Sequence, residues 1–382
     1  MPHRSYKYRF YPTECQRAQL EIEFGHARFV WNWALEMRTK AYRRRGESLN
    51  YVEISRRLTA LKACRRYCWL SQGTANCSTQ KLIDLDKAFG NFFEQRARYP
   101  RFRKKHARQS VRYQLDQRHV HRTFQAGKTL QLPKLGPLTL RWSRLPLGVP
   151  KMATVSRDAA GRYFVSLSVL EDIASKITTI NAVGVDVGIK DIVVTSDGFR
   201  SGAPKSTYRH ARRLRIEQRR MSRKRKGSGR WTRQKVRVAQ VHARIRDTRN
   251  DFLHQLSTRL IDDNQVIAIE DLNVSGMLKN RRLSKAISDS AVSELRRQLT
   301  YKARWYGREL RVVSRFEPTS KRCNVCGDLN HSLTLGNRQW QCQLCGTRHD
   351  RDINAAKNIL HTAGSAELKA RGGCTTPARQ AA

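Results

Sequence analysis

Two Cys-x-x-Cys pairs, Cys323/Cys326 and Cys342/Cys345, stand fifteen residues apart near the C-terminal end of the chain. Two tight turns of that kind can each present two sulfurs at about 2.3 Å from one tetrahedral ion, which is the spacing of a zinc ribbon. Gly327 and Gly346 follow the pairs, where such knuckles need a positive φ. All four ligand positions are filled, so this zinc is expected to be structural, and any chemistry must come from the carboxylates around it. Three of these stand out by context: Asp186 within the valine-rich stretch 183–187, Glu270 at the end of the apolar run 266–269, and Asp352 at the start of a helical pattern after the second knuckle. A charge at the end of a core strand needs a partner. For three converging carboxylates the fitting partner is a pair of divalent cations, Mg²⁺ or Mn²⁺, about 3.5 to 4 Å apart, arranged for in-line attack on a phosphodiester. Oxygen ligands suit those ions and thiolates suit zinc, so the two metal sites should not compete. Taken singly, each acid could instead cap a helix or pair with an arginine. Asp352 could be an N-cap, and Asp350, two residues earlier, competes for the place of third ligand.

The elements that must position these groups belong to a strongly basic chain. Its 382 residues carry 76 Lys and Arg against 31 Asp and Glu, a net charge of +45. That excess predicts a polyanionic partner, and the interleaving of basic and aromatic residues at 99–105 and 230–233 favours nucleic acid over a membrane. No apolar run approaches the roughly 18 residues of a spanning helix, and residues 1–10 lack a signal-type h-region. A cytoplasmic, nucleoid-associated protein is expected. There the nine cysteines read as one metal site plus free thiols, with Cys64, Cys68 and Cys77 as buried small hydrophobes.

Along the chain, basic and aromatic residues alternate over 6–11 as a short strand, followed by helical periodicity from about 14 to 93, with Phe29, Trp33 and Met37 and then Leu82, Leu85, Phe89, Phe92 and Phe93 as apolar positions. Short strands with turn signals fill 99–169, and closure into a β-barrel that includes the first strand is expected. Between Lys205 and Asn250, 18 Lys or Arg face only Glu217 and Asp247, split by Gly227-Ser228-Gly229; a basic helical hairpin fits, with self-repulsion relieved by a bound polyanion. The segment after Leu360 reads as disordered.

With those residues in view, the chain resembles the TnpB proteins of bacterial insertion sequences, compact relatives of type V CRISPR effectors. Residues 184–190 (GVDVGIK) look like the first RuvC motif, 269–272 (IEDL) like the second and 350–359 (DRDINAAKNI) like the third. The Cys323–Cys345 segment, preceded by Pro318-Thr319-Ser320, is similar to the family's target-nucleic-acid-binding domain. Residues 27–32 and 99–103 resemble its recognition helices and the return into its wedge barrel.

The resemblance implies an α/β multidomain fold: an RNase H-like (RuvC) nuclease domain with an inserted zinc ribbon, and an N-terminal wedge barrel carrying an inserted helical recognition module. The expected boundaries are a wedge strand at 1–13, a recognition module at 14–97 and the barrel at 98–175. They continue with the nuclease domain at 176–318 (basic hairpin 205–260), the ribbon at 319–348, the third motif at 349–363 and a disordered tail at 364–382. It further implies catalytic, Mg²⁺-binding acids at Asp186, Glu270 and Asp352, and a guide RNA from the right end of the transposon. The expected activity is RNA-guided, metal-dependent DNA endonuclease action on double-stranded DNA beside a short flanking motif, in support of transposon retention, with the transposase of the same element as a functional partner. Candidate nucleic-acid contacts are Tyr51, Thr79, Gln80, Arg101, Arg103, Lys104, Arg219, Arg223, Lys224 and Arg230. An RNA-guided repressor and a guide-independent, structure-selective nuclease are the alternatives.

Overall fold

The structure is a computed structural model describing residues 3–105, 108–334 and 336–371, with side chains described as far as 364. The chain forms two compact units, Met1–Asp172 with Gly227–Gln240, and Ile173–Lys226 with Val241–Ala382. No helix among the described residues is long and apolar enough to cross a membrane.

In the first unit, β1 (His3–Phe10) buries Tyr6, Tyr8 and Phe10 on one face, as its alternation requires. A capping box between Thr13 and Gln16 then starts the 32-residue helix α1 (Glu14–Arg45). Helices α2 (Tyr51–Ala63) and α3 (Ala75–Phe93) follow, joined by a 3₁₀ segment, Arg65–Gln72. They pack with α1 around Val30, Leu35, Ile54, Leu58, Leu82 and Leu85. Next come β2 (Gln109–Gln114), the short helix α4 (Val120–Thr123), β3 (Phe124–Gln125), β4 (Thr129–Leu132), β5 (Gly136–Leu138), β6 (Leu140–Arg141), β7 (Pro150–Arg157) and β8 (Tyr163–Leu170).

These strands form a five-stranded sheet ordered β2-β7-β8-β1-β6 and a separate three-stranded sheet β3-β4-β5, both contributing to one apolar core. The strand pairing does not close into a ring. Strands β5 and β6 are only three and two residues long and Pro137 offers no N–H, so the ladder ends on β6 with two sheets sharing a core. Cys77 is buried as expected, whereas Cys64 and Cys68, at the end of α2 and in the 3₁₀ turn, are exposed. The turn breaks the helical spacing that would have hidden them.

In the second unit, β9 (Ala182–Asp186) and β10 (Val194–Thr195) lead to the basic helices α5 (Ser206–Ser222) and α6 (Gly229–Asp263), the latter shared between the units. Strand β11 (Val266–Glu270), the short α7 (Val274–Met277) and α8 (Ser284–Ser290), α9 (Val292–Tyr306) and β12 (Glu309–Val313) follow, then the small hairpin β13 (Gln339–Gln341) and β14 (Arg348–Asp350), and finally α10 (Arg351–Arg371).

The sheet order is β10-β9-β11-β12, with β9, β11 and β12 parallel and β10 antiparallel. A bridge from Val194 to Arg200 extends the antiparallel side. One face packs Val183, Val185, Ile267 and Ile269 against Leu253, Leu260, Leu295 and Leu299 of α6 and α9; the other packs Ala268 and Val313 against Ile359 and Ala363 of α10. Helix α10 continues to Arg371, so residues 364–371, expected to be disordered, are helical: the run 363–371 carries three alanines with Glu367, Leu368, Lys369 and Arg371, all helix-favouring. The remainder of that tail, 372–382, lies outside the described residues.

Candidate active site and cysteine centre

Asp186 is the last residue of β9 and Glu270 the last of β11. The parallel register pairs Ile269 with Val185, which brings Glu270 level with Asp186 at one end of the sheet. Side chains two apart on a strand share a face, so Gly184 and Asp186, like Ala268 and Glu270, look toward α10. On α10, Asp352 and Ala356 are one turn apart and also share a face. What brings the helix close is Gly184: a Cβ there would lie 1.9 Å from the Ala356 carbonyl oxygen and 2.9 Å from Leu360 Cβ. The same contact therefore sets Asp352 opposite Asp186. Gly184→Ala should cost about 1–3 kcal/mol by forcing α10 off the sheet, whereas Gly25→Ala in α1, where an added Cβ meets nothing within 4 Å, should be neutral or stabilising. Thermal unfolding of the two variants beside the parent measures the contrast; equal melting temperatures would refute the close approach.

The electrostatics mark the same spot. Burial, then the charges of Asp352 and Glu270, push the Asp186 carboxyl up to about 7, against a lowering by Arg351. Burial and then Asp271 raise Glu270. Asp352 accepts from Arg338 at 2.9 Å and from the neighbouring Arg351 at 3.0 Å. The capping role weighed for Asp352 belongs to Asp350, whose Oδ1 accepts the backbone N–H groups of Asp352 and Ile353, both at 3.1 Å, and pairs with Arg200 at 2.7 Å. A buried carboxyl whose ionisation two neighbouring carboxylates disfavour suits a divalent cation, whose charge would stabilise it as the anion.

The cysteine centre is tighter. All four sulfurs lie within 4.8 Å of one another, with Cys323–Cys345 at 3.7 Å and Cys326–Cys342 at 3.5 Å. Four thiolates at about 2.3 Å around a tetrahedral ion would sit about 3.8 Å apart, so the set fits zinc. Gly327 (φ 81°) and Gly346 (φ 68°) turn back so that their N–H groups donate to the carbonyls of Cys323 and Cys342 at 3.0 Å. His349, buried, brings Nε2 to 3.0 Å from the Cys323 sulfur.

Two connections were not visible in the sequence. Asn354 Nδ2 donates to the Arg322 carbonyl at 2.7 Å, and its Oδ1 accepts from the Asn324 N–H at 3.0 Å. Asn358 Nδ2 donates to the carbonyls of Thr319 and Arg322, both at 2.7 Å. The first knuckle is thus latched to the helix that carries Asp352. Both asparagines stand in the DRDINAAKNI stretch, but their partners are about 30 to 40 residues away, and only folding reveals them. Arg200, held between Asp350 and Asp191, likewise gave no sequence signal.

Among the candidate nucleic-acid contacts, Arg101, Lys104, Arg219, Arg223 and Arg230 are exposed, and Lys224, half-buried, donates to the Arg220 carbonyl at 3.1 Å. Others are committed to packing: Gln80 is buried with its amide on Gln114 at 3.1 Å, Arg103 stacks 3.9 Å from the centre of the Trp31 ring, and Tyr51 is half-buried against the helical core. Thr79 is half-buried and returns its hydroxyl to the Ala75 carbonyl.

A sheet of this order, with acids at two strand ends and on a helix laid across one face, is that of an α/β, RuvC-like domain. Comparison with known proteins gives the family. Residues 165–281 match a family profile described as a probable transposase (OrfB of IS605), and 293–359 match the Cas12f1-like TNB domain. Residues 1–47 match a profile described as a helix-turn-helix domain, although here they form one strand and one long helix.

A protein of Streptomyces pristinaespiralis named "Putative RNA-guided DNA endonuclease" is 46% identical over 360 residues, covering 94% of this chain and 88% of its own. Escherichia coli K12 InsQ, named likewise, is 31% identical over 385 residues, covering 96% and 93%. The chain belongs to their family, the TnpB-type proteins of insertion sequences. The cryo-EM structure of a Cas12f1–sgRNA–target DNA complex shares the fold, with a TM-score of 0.60 at 14% identity, covering 90% of this chain and 82% of that one.

Proposed function

We propose that this chain is an RNA-guided DNA endonuclease that cuts double-stranded DNA beside a short flanking motif, at sites chosen by pairing with a guide RNA derived from the transposon's right end. The observation that carries the proposal is the placement of Asp186, Glu270 and Asp352 on one face of the sheet, in a chain of charge +45. The family relatives' names support the guided activity. Asp186, Glu270 and Asp352 would hold two Mg²⁺ ions, which when bound supply an activated water and stabilise the leaving oxygen. The protein's part is positional: β9 and β11 end together, α10 carries the third acid, and Arg351 and Arg338 pair with Asp352. The basic α5 and α6 would run along phosphates with no sequence code.

In this reading the two sheets of the first unit form the wedge at 1–13 and 98–175, the helices at 14–97 are the recognition module, and 319–348 form a zinc ribbon that handles target nucleic acid, inserted in the nuclease domain at 176–318 and 349–363. The activity would support transposon retention beside the element's transposase, at the nucleoid.

Protein charged with its co-purifying RNA should linearise a plasmid carrying the matching target and flanking motif only in the presence of Mg²⁺, and RNase treatment should abolish cutting. Cutting that survives RNase would leave a guide-independent nuclease, and a footprint without cutting would leave a repressor.

A further inference from the structure

Phe93 falls on the apolar positions of α3, yet 69% of its surface is exposed. It is one wall of an aromatic cleft of about 500 Å³ between the C-terminal ends of α1 and α3. Tyr42, 67% exposed, and Tyr99, 42% exposed, face the same cleft. Its rings pack on one another and still leave surface open: Phe89 and Phe92 meet Tyr99 edge-on at 5.5 and 5.3 Å, Phe93 lies 5.4 Å from Phe92 and 6.3 Å from Phe89, and the Arg38 guanidinium lies 4.2 Å from the centre of the Phe89 ring. A cluster of large exposed rings in a folded protein marks a binding surface.

The surroundings say for what. The last turn of α1 carries Arg43, Arg44 and Arg45, and Arg96 and Arg98 follow α3, all exposed, so the approach is cationic and fits a phosphate backbone. Beside the lining cations Arg38 and Arg43, the cleft offers acceptors and hydroxyls: Glu47, which pairs with Arg45 at 3.8 Å, and Ser48 line it, and Thr39 shares a 2.8 Å hydrogen bond with the Tyr99 hydroxyl. A carboxylate and hydroxyls beside aromatic faces suit a base with a ribose 2′-hydroxyl to donate, which DNA lacks.

We propose that this cleft is a stacking site for an unpaired nucleotide of RNA. The proposal rests on the reading of the chain as RNA-binding, and it adds a site to that reading. The test uses the full-length protein and single-stranded oligonucleotides of one mixed sequence carrying 2-aminopurine, as RNA and as DNA, titrated at fixed salt.

The expected result is tighter binding of the RNA, with affinity reduced about tenfold in Phe93→Ala and in Tyr42→Ala, kept in Phe93→Trp, and little change for the DNA. Both residues are largely exposed, so the alanine variants should fold; their circular dichroism and melting temperature check this. Unchanged RNA affinity in both alanine variants, or an equal loss for the DNA, overturns the proposal. Because binding is read without cleavage, a parent protein that fails to cut guided targets would sink the nuclease reading and leave this result standing.

Discussion

Asp186→Asn is expected to abolish Mg²⁺-dependent cleavage, by about 10³-fold or more, while leaving guide and target binding intact and raising the melting temperature in EDTA. The two effects have one cause. Asp186 is buried beside Asp352 and Glu270, and like charges in that setting cost folding free energy unless a cation offsets them, which is why its carboxyl is pushed up to about 7. Asparagine keeps the shape and removes the charge, so the metal-free fold should gain on the order of 1 kcal/mol. The same substitution removes one of the three proposed ligands, and loss of a ligand in a two-metal site removes transition-state stabilisation rather than binding. Plasmid cleavage, RNA retention on a filter and melting in EDTA measure the three parts. A variant that cuts like the parent would end the site assignment; one that loses both cutting and stability would show a structural role.

Removal of zinc should be nearly as damaging, for a mechanical reason. Among the described residues the apolar core around the cysteines is Cys323, Leu333, Trp340 and Cys342, too small to hold 319–350 folded without a metal. The first knuckle is latched to α10 through Asn354 and Asn358, and the Arg351 N–H donates to the Arg338 carbonyl at 2.8 Å. Unfolding the knuckle therefore loosens the first turn of α10 and with it Asp352. Cys342→Ser, or chelation strong enough to strip zinc, should lower cleavage at least about 100-fold even with Mg²⁺ in excess, and added zinc should restore the chelated parent but not the variant. Metal content and cleavage are measured on the same samples. Full activity in protein shown to be zinc-free would refute the mechanical link. Asn358→Ala should give a partial version of the loss with zinc still bound, because it cuts the latch and not the ligand set.

Much of this site could be read before folding because its signals are short-range. A Cys-x-x-Cys-Gly turn makes its own geometry, and a valine run ending in Asp or an isoleucine run ending in Glu says both strand and strand end. Where local pattern met a competing constraint it failed: the turn at Arg65–Gln72 left Cys64 and Cys68 exposed, the two- and three-residue strands around Pro137 left the barrel open in its pairing, and Phe93, one of the apolar positions of the helical pattern, faces solvent. Asp350 and Asp352 could not be told apart as cap and candidate ligand, since both stand at the start of the same helix, and only the N–H groups that reach Asp350 identify it as the cap.

The residue types by themselves determined the chemistry available here: four thiolates for zinc, three carboxylates for hard cations and a basic surface for a polyanion, because ligand preference and charge belong to the side chain whatever its surroundings. The tertiary structure decided which of them meet. Gly184 lets α10 lie on β9, and that approach, joining residues some 170 positions apart, is what turns Asp186 and Asp352 into neighbours. Such contacts arise from backbone packing at a distance, which no local pattern encodes.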